Sequence, residues 1–485
     1  MNAIQASLFW YDYETTGTDP QKDRIVQFAG LRTDLDFNPV DDPVNIYCSL
    51  SDDILPQPEA CLVTGITPQQ AQRQGLAEAE FSRRVLAEMA RPHTCTLGYN
   101  SIRFDDEFTR YLLYRNLFDA YAREWQNGNS RWDIIDMVRG AYALRPDGIE
   151  WPTKQDGTPS FKLEDLARAN GIGHTQAHDA LSDVYATIGL AKLIQEKQPR
   201  FYQYVFTHRR KEAVFEILSL EKPAAVVHVS SKYAATRGCL AVVAALGMHP
   251  VNKNAVIVYD LSVDPAPFLS LSVDELQQRL FVPASELGEG MARLPVKLVH
   301  ANKCPVLAPL NTVDDKAVQR FALDLSRCQQ HLQQLLRHPE FRARLPQAFA
   351  SSFAADQRTV VDPEQALYSG GFFSNEDRSR MERLHRLPPQ ELAAAAAGFR
   401  DPRLGELLFR YRARNFPQTL TPAERQDWAE YRRRRLCDPE GGGSLTLADY
   451  RKRIDALLVR HETSESDKKL LLALQEYADG LEESL

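Results

Sequence analysis

The sequence predicts a multidomain α/β protein, and three stretches of its 485 residues carry that prediction. The first stretch alternates apolar strands with amphipathic helices, which is typical of an α/β layer fold. The second contains short valine-rich runs that predict a smaller domain with a β core. The third is helical to its end. Because a chain of this length exceeds one ordinary hydrophobic core, two or three domains are expected.

The domain boundaries follow from where these patterns change. Gln198-Pro199-Arg200 interrupts a long predicted helix, and the helical pattern of the last stretch begins near Ala355. We therefore predict domains at residues 1–198, 199–354 and 355–485.

The first domain opens with an aromatic-rich strand that begins at Leu8 and ends before Thr16-Gly17. Further strands are predicted at 24–32, 44–48 and 94–99. The short loops between the first three strands favour antiparallel pairing. Helices are predicted from Thr67-Pro68, where Thr is the N-cap, and at 81–90, 105–118 and 179–197.

The later domains are predicted more coarsely. In the middle domain, strands are expected at 225–229, 240–243, 255–259 and 294–300, and a helix at 273–281. In the last domain, the alanine-rich helix at 393–397 should end at Gly398. A glycine-rich loop at 438–444 precedes two final amphipathic helices.

Composition restricts the class of protein. A hydrophobic content of 44% with 25% charged residues is typical of a globular protein. No apolar run of membrane-spanning length occurs, and the first residues lack a signal-peptide pattern, so we expect a cytoplasmic protein. The seven scattered cysteines predict free thiols. A net charge of −7 argues against a surface that is basic throughout, although a local basic channel remains compatible with it.

Asp12 and Glu14 are the first candidate site residues. Side chains two positions apart in a strand point to the same side, so both carboxylates should project together near the strand end. Their mutual repulsion is relieved by cations, and oxygen ligands suit Mg²⁺ or Mn²⁺. The alternative is two solvated acids at a strand end.

Two further clusters hold candidate residues. Asp105 lies where a predicted strand gives way to a helix, a position that also favours acids through the helix dipole. This effect explains Asp106 and Glu107 better than it explains Asp105, which follows the apolar Phe104. His178 precedes a helix that carries Asp183, so an imidazole from the loop and a carboxylate from the first turns can approach one another.

The set Asp12-x-Glu14, Asp105 and His178-x4-Asp183 resembles the DEDDh (DnaQ-like) family of 3′–5′ exonucleases. Within it, the chain is similar to the bacterial exodeoxyribonuclease I family. The stretches that carry this similarity lie at 98–100, 103–107, 129–133, 143–149, 177–180, 296–306 and 411–417.

The resemblance implies an RNase H-like exonuclease domain with a mixed sheet, a β-containing SH3-like domain and an all-helical C-terminal domain. It also implies hydrolysis of single-stranded DNA to 5′-mononucleotides in DNA repair and recombination. Asp12, Glu14 and Asp183 would bind two Mg²⁺ ions, with Mn²⁺ as a substitute, and Asp105 would complete the site. His178 would be the general base.

Substrate and partner contacts are carried over in the same way. Glu14 would also touch the substrate, as would Arg110, Tyr121, Trp125, Arg139 and Lys162. A lysine stands at position 162 where the resemblance leads us to expect arginine; it keeps the charge but loses the bidentate fork. Arg145 and Tyr204 would bind the acidic, phenylalanine-ending tail of the single-stranded DNA-binding protein. We expect a monomer.

Two questions stay open at this point. Residues 400–435 contain ten arginines against five acids, and this pattern fits either a solvated helical face or a surface that faces nucleic acid.

The function has two alternatives as well: an exoribonuclease of the same superfamily, or a binding module without activity. The residues beyond the first domain favour DNA, and the intact set of five residues favours an enzyme.

Overall fold

The computed structural model describes residues 6–173, 179–350, 362–460 and 464–485. Its strands are β1 (Ser7–Thr15), β2 (Ile25–Thr33), β3 (Val44–Tyr47), β4 (Thr94–Gly98), β5 (Ser130–Asp133), β6 (Val226–Val229), β7 (Leu240–Met248), β8 (Ala255–Asp260), β9 (Val296–His300) and β10 (Val306–Pro309).

The helices fall between and after these strands, with short 3-10 turns among them. They are α1 (Pro58–Thr64), α2 (Pro68–Gln74), α3 (Glu78–Met89), α4 (Asp105–Arg115), α5 (Ile134–Leu144), α6 (Leu163–Ala169), α7 (Ala180–Lys197), α8 (Pro199–Thr207), α9 (Lys211–Ile217), α10 (Val273–Phe281), α11 (Asp315–Phe321), α12 (Leu325–Leu336), α13 (Pro339–Ala350), α14 (Asn375–Leu384), α15 (Leu392–Ala395), α16 (Pro402–Asn415), α17 (Pro422–Cys437), α18 (Leu447–Leu458) and α19 (Glu465–Glu483).

The chain forms two compact units that are not continuous in sequence. The first unit combines the residues up to Arg131, the start of α7 as far as Tyr185, and the C-terminal helices α14–α19. The second unit contains residues 132–173 and the chain from Ala186 through α13.

The first unit is built on a mixed sheet of order β3-β2-β1-β4-β5, whose last strand begins within the unit. β1 pairs antiparallel with β2 and parallel with β4, while β2 pairs antiparallel with β3. The predicted antiparallel pairs are therefore confirmed. The apolar start of β1 explains its central position, since Leu8, Phe9 and Trp10 are at most 1% exposed.

The second unit contains an antiparallel sheet of order β10-β6-β7-β8-β9. One face of this sheet packs against α10, α12 and α13 through a single apolar cluster. The predicted β core is confirmed, and β10 is the strand that the pattern did not reveal. Its four residues end in proline, which lacks the N–H of a ladder donor.

The C-terminal helices confirm the predicted all-helical region. α15 is followed by a 3-10 turn that ends at Gly398, where the sequence predicts a helix stop. Each of the seven cysteines is a free thiol, and only Cys437 is exposed. Over the described ranges, no helix is long and apolar enough to cross a membrane.

Candidate active site

A cluster of carboxylates lies at the end of β1. One oxygen each from Asp12, Glu14 and Asp183 lies within 4.8 Å of the other two. Glu14 is buried, whereas Asp12 and Asp183 are partly exposed. The sequence prediction that these three side chains share one site is consistent with this geometry.

Asp105 reaches the same edge because β1 and β4 run in parallel. Parallel strands end at the same edge of a sheet, and α4 begins at Asp105 only seven residues after β4 ends at Gly98. Gly98 allows the backbone at the end of β4 to lie close to β1, since a Cβ at this position would lie only 2.6 Å from the carbonyl oxygen of Tyr11. Asn100 then takes a left-handed conformation (φ 63°) that turns the chain into α4.

Asp106 anchors α4 to the sheet. Its carboxylate accepts a hydrogen bond from Tyr11 Oη (2.8 Å) and forms buried ion pairs with Arg123 and Arg131. Burial alone would raise the pKa of Asp106, but the two arginines hold it far below its usual range. Asp106 lies in the first turn of α4, as the dipole explanation requires, but its carboxylate also forms buried ion pairs that the sequence did not predict.

The start of α7, which carries Asp183, is held by Asp179. One Asp179 carboxylate oxygen accepts from the Ser182 backbone N–H (3.2 Å), as an N-cap does, and the other accepts from Gln27 Nε2 (3.0 Å). Gln27 lies on β2 directly opposite Glu14. Its second amide hydrogen bond goes to Asn45 Oδ1 (3.0 Å). Through this hydrogen bond, β2 holds the start of α7, the helix that adds Asp183 to the carboxylate cluster.

The electrostatics of the cluster favour a bound cation. Burial, followed by repulsion from Asp12 and Asp183, raises the pKa of Glu14 to about 9. Burial and repulsion from Asp105 and Asp183 raise the pKa of Asp12 well above its usual range. Within the described ranges, neither Asp12 nor Glu14 forms an ion pair with a lysine or arginine. Carboxylates in this state fit a divalent cation, which supplies the missing positive charge.

His178 lies outside the described residues, so its assignment as general base stays a prediction. It directly precedes Asp179, whose hydrogen bonds are given above.

Besides Glu14, three of the predicted DNA contacts lie in the first unit. Trp125 is 65% exposed, while Tyr121 is partly buried beneath the Arg110 guanidinium, 5.4 Å from its ring centroid. Arg110 is 7% exposed and is engaged by Glu107 (2.7 Å) and by both oxygens of Glu124 (2.7 and 3.0 Å). Their contact with DNA stays a prediction.

The other predicted contacts lie in the second unit. Arg139 is paired with Asp136 (2.6 Å), and Lys162, just before α6, has a side chain that is 68% exposed. Arg145 donates to the carbonyl oxygen of Thr312 (3.0 Å), and Tyr204 stacks on His208 with ring centroids 4.0 Å apart. These assignments are likewise still predictions.

The arginine-rich segment 400–435 fits neither of its two sequence interpretations as a whole. Five of its arginines have side chains no more than 7% exposed and form ion pairs inside the first unit. The pairs are Arg410–Asp362, Arg412–Glu424, Arg414–Asp53, Arg414–Glu364, Arg432–Asp52 and Arg435–Asp53. These arginines stabilise the packing of α16 and α17.

The sequence reasoning did not identify Gln27, Asp179 or Asp106 as supports of the site. A signal exists for Gln27, because it is the one polar residue among the first seven positions of β2. Asp179 stands one position before α7, where an N-cap is expected, but its bond to Gln27 spans 152 residues and no local pattern reveals it.

Three family models match the chain along its length. A model described as "Exonuclease" matches residues 9–191, "Exonuclease I SH3-like domain" matches 209–351, and "Exonuclease I C-terminal domain" matches 361–481. The first of these contains Asp12, Glu14, Asp105 and Asp183. The predicted succession of fold types is thereby confirmed.

Individual proteins are similar over nearly the whole chain. Exodeoxyribonuclease I of Escherichia coli is 45% identical over 98% of each chain. A solved Exonuclease I from Methylocaldum szegediense has 52% identity and a TM-score of 0.93, covering 98% of this chain and 99% of that one. The E. coli enzyme in complex with a dA16 oligonucleotide has a TM-score of 0.92 at 44% identity, over 98% and 100% of the two chains.

The carboxylate cluster lies within the matched exonuclease segment, and the similarity extends across both domains that follow it. The chain therefore belongs to the exodeoxyribonuclease I family of exonucleases.

Proposed function

We propose that the protein is a 3′–5′ exodeoxyribonuclease that hydrolyses single-stranded DNA to 5′-mononucleotides with two Mg²⁺ ions. The observation that carries this proposal is the cluster of Asp12, Glu14 and Asp183 in a chain whose full-length relatives are named Exodeoxyribonuclease I. Mn²⁺ is proposed as a substitute, and a zinc-bound complex of E. coli ExoI with single-stranded DNA supports the binding of a divalent cation by proteins of this family.

Asp12, Glu14 and Asp183 would hold the cations. A pair of divalent cations lowers the pKa of water and stabilises negative charge on the leaving 3′ oxygen. Glu14, the most buried of the three, would also fix the terminal nucleotide. Asp105 would complete the site, and a ring nitrogen of His178 would accept the proton of the attacking water.

Single-stranded DNA is the proposed substrate because relatives bind it. Structures of the E. coli enzyme contain dA16 and dT13 oligonucleotides. In this chain, the exposed ring of Trp125 suits stacking on an unpaired base. Arg110, Tyr121, Arg139 and Lys162 remain proposed contacts. A role in DNA repair and recombination is proposed on the same basis.

An exoribonuclease is the second candidate. Oligoribonuclease of Marinobacter nauticus is 29% identical, but the match covers only 35% of this chain. The E. coli and Haemophilus influenzae exodeoxyribonucleases each match 98% of it. The matches that reach the second and third domains therefore favour DNA.

The proposed protein partner is the C-terminal tail of the single-stranded DNA-binding protein. It is supported by a solved ExoI/SSB-Ct complex, whose exonuclease is 44% identical to this chain. Arg145 and Tyr204 would contact the tail. We further propose a cytoplasmic monomer.

The decisive experiment compares release of mononucleotides from matched DNA and RNA strands and from blunt duplex, each labelled at one end. With Mg²⁺, single-stranded DNA should be shortened from its 3′ end, and EDTA should abolish the reaction. Asp183→Asn should lower turnover by orders of magnitude, whereas Asp274→Asn, an exposed aspartate also in a first helical turn, should not. Equal cleavage of RNA, or a folded Asp183→Asn variant with near-normal turnover, would contradict the proposal.

A further inference from the structure

A polar cavity in the first unit has no part in the function proposed above. Its volume is about 190 Å³, whereas about 10–15 Å³ is enough to hold one water molecule. The chain lines it at residues 48–51, at the start of α3 and at the end of α16. Ala77, one of the lining residues, is exposed, so a small solute can reach the cavity from solvent. The polar side chains of the lining include Arg24, Arg414, Asn415, Glu78, Ser49 and Ser51.

Among the described residues at this cavity, three arginines share two carboxylates. Glu364 is paired with Arg24 (3.0 Å) and with Arg414, and Asp53 is paired with Arg414 (2.8 Å) and with Arg435 (3.4 Å). All five side chains are at most 4% exposed, so water screens their charges poorly. The group therefore carries an excess of one positive charge.

The neighbouring ion pairs do not remove this excess. Arg410 binds Asp362 (2.7 Å) and Glu406 (2.8 Å), and the Glu406 side chain is 41% exposed and screened by solvent. Of the described residues that line the cavity, Glu78 alone is acidic, and it accepts hydrogen bonds from Arg115 Nε (2.8 Å) and Nη2 (2.6 Å). Burial alone would raise the pKa of Glu78, but Arg115 holds it below its ordinary value. Glu78 therefore adds little net negative charge to the cavity.

Arg24 retains hydrogen-bonding capacity for a ligand. Its Nη1 donates to the carbonyl oxygens of Lys22 (2.9 Å) and Asp23 (3.2 Å), and its Nη2 donates to Glu364 (3.0 Å). Within the described ranges, the Nε–H and the second Nη2 hydrogen have no acceptor. Burial, followed by repulsion from the nearby Arg115, lowers the pKa of Arg24 to about 10. An anion in the cavity would supply both an acceptor and the missing negative charge.

The other lining groups indicate which anion fits. Arginine is the usual donor to phosphate oxygens, and the Ser49 hydroxyl and the Asn415 amide can donate as well. None of the described lining residues is aromatic, so a nucleobase would have no ring on which to stack. These features favour a small oxyanion.

We propose that this cavity binds a phosphate group and that Arg24 is a phosphate-binding residue. The bound anion joins two distant parts of the chain, because Arg414 and Asn415 lie on α16 while residues 48–51 follow β3. A ligand that binds only the folded state stabilises it in proportion to its saturation, so phosphate raises the thermal stability of the protein. This site requires neither a metal ion nor turnover, and it goes beyond the proposed function.

The test measures binding of radiolabelled inorganic phosphate to the full-length protein by equilibrium dialysis. EDTA is present, and NaCl keeps the ionic strength constant. Wild type should bind phosphate saturably with one site per chain, and its unfolding temperature should rise with phosphate concentration. Arg24→Gln should weaken phosphate binding by about 10- to 150-fold, the range expected for loss of one hydrogen bond to a charged group.

Two further variants make the result specific to the cavity. Ser49→Leu fills the cavity and leaves every ion pair described above in place, so it should abolish phosphate binding even if Arg24→Gln is too unstable to measure. Arg412→Gln is the matched control, because Arg412 is as buried as Arg24 and is paired with Glu424 but does not line the cavity. This variant should keep the wild-type affinity for phosphate.

Competition with dTMP and with thymidine identifies the source of the phosphate group. Displacement of the label by dTMP but not by thymidine supports the phosphate of a nucleotide, and displacement by neither supports free phosphate. Displacement by thymidine would overturn the proposal, as would a lack of saturable binding at millimolar phosphate. Wild-type affinity in a folded Arg24→Gln or Ser49→Leu variant would overturn it too. Failure of the proposed function would leave these results unchanged, since dialysis requires no DNA cleavage.

Discussion

Gln27 connects the strand beside the active site with the helix that completes it. Its side chain is on a buried position of β2, and its amide hydrogens bind Asn45 on β3 and Asp179 before α7. A hydrogen bond to a charged group contributes about 1.5–3 kcal/mol. Removing it should therefore loosen the first turn of α7, where Asp183 lies.

Gln27→Leu should lower kcat by roughly 10- to 100-fold while KM changes little, because a shift of about 1 Å in a catalytic group costs that much. The control is Asn45→Ala, which removes the other acceptor of the same amide and leaves the bond to Asp179. Steady-state kinetics on a short single strand distinguish the two. Equal effects from both substitutions would exclude a specific role for the Gln27–Asp179 bond.

His178→Ala should lower kcat by about 10²–10⁴-fold, the usual contribution of a general base. The variant should still bind Mn²⁺, because the proposed ligands are carboxylates. Titration of the protein with Mn²⁺ in the absence of substrate measures this binding. His174→Ala, four positions earlier in the sequence, provides the control and should keep its activity. A His178→Ala variant that turns over at the wild-type rate would remove this residue from the mechanism.

The residues of the site differ in how far the sequence reveals them. Asp12 and Glu14 are predictable as a pair because the period of a strand is two residues. The role of Asp106 is not, since its partners Arg123 and Arg131 lie 17 and 25 positions away. A first-turn acid that caps a helix and one that anchors a sheet have the same local sequence.

At the scale of elements, α16 is a helix with buried arginine side chains. Arg410 and Arg414 on this helix bind Asp362, Glu364 and Asp53, all of them buried or nearly so. Burial costs each ion several kcal/mol, and the cost is offset only while every partner is present.

Replacement of Arg414 by Met should lower the free energy of unfolding by about 3–5 kcal/mol, because Asp53 and Glu364 then lose a buried cation. Arg425→Met, on the exposed face of α17, should change it by less than about 0.5 kcal/mol. Urea denaturation measures both. Similar values for the two variants would mean that the Arg414 pairs contribute no more than a surface charge.

Sequence patterns predict where helices begin and end better than they predict which charged side chains are buried. The bounds of α10 agree with the prediction because Ser272 and Glu275 form a complete capping box. The five inward arginines of α16 and α17 were not predictable as such, since Arg is usually exposed and its burial depends on acids far away in the chain.

At the scale of the whole molecule, the first unit combines both ends of the chain. Tyr111, Tyr114 and Leu117 from α4 and the turn after it pack with Leu404, Leu407 and Leu408 of α16. Leu55 and Cys61 pack with the last two helices. The predicted domain at residues 1–198 therefore lacks part of its own core. Domain boundaries that divide the sequence into successive segments cannot describe a core that is shared by both ends of the chain.

A fragment of residues 1–198 should accordingly unfold at a lower temperature than the full chain and bind a hydrophobic dye, because the apolar face of α4 is exposed. Addition of a 355–485 fragment should reverse part of the loss. Calorimetry and dye fluorescence provide the measurement. A cooperative transition of 1–198 at the temperature of the full chain would show that the C-terminal helices are dispensable for this core.

The ion pair between Asp53 and Arg414 also has a consequence for synthesis of the protein. The two residues are 361 positions apart in the chain, and a ribosome adding about 5–20 residues per second needs roughly 20–70 seconds to pass from one to the other. During that time Asp53 lacks its two arginine partners, Arg414 and Arg435, and among the described residues only the nearby Ser51 hydroxyl donates to it. The buried ion pairs that hold α16 and α17 to Asp53 therefore form only late in synthesis of the chain.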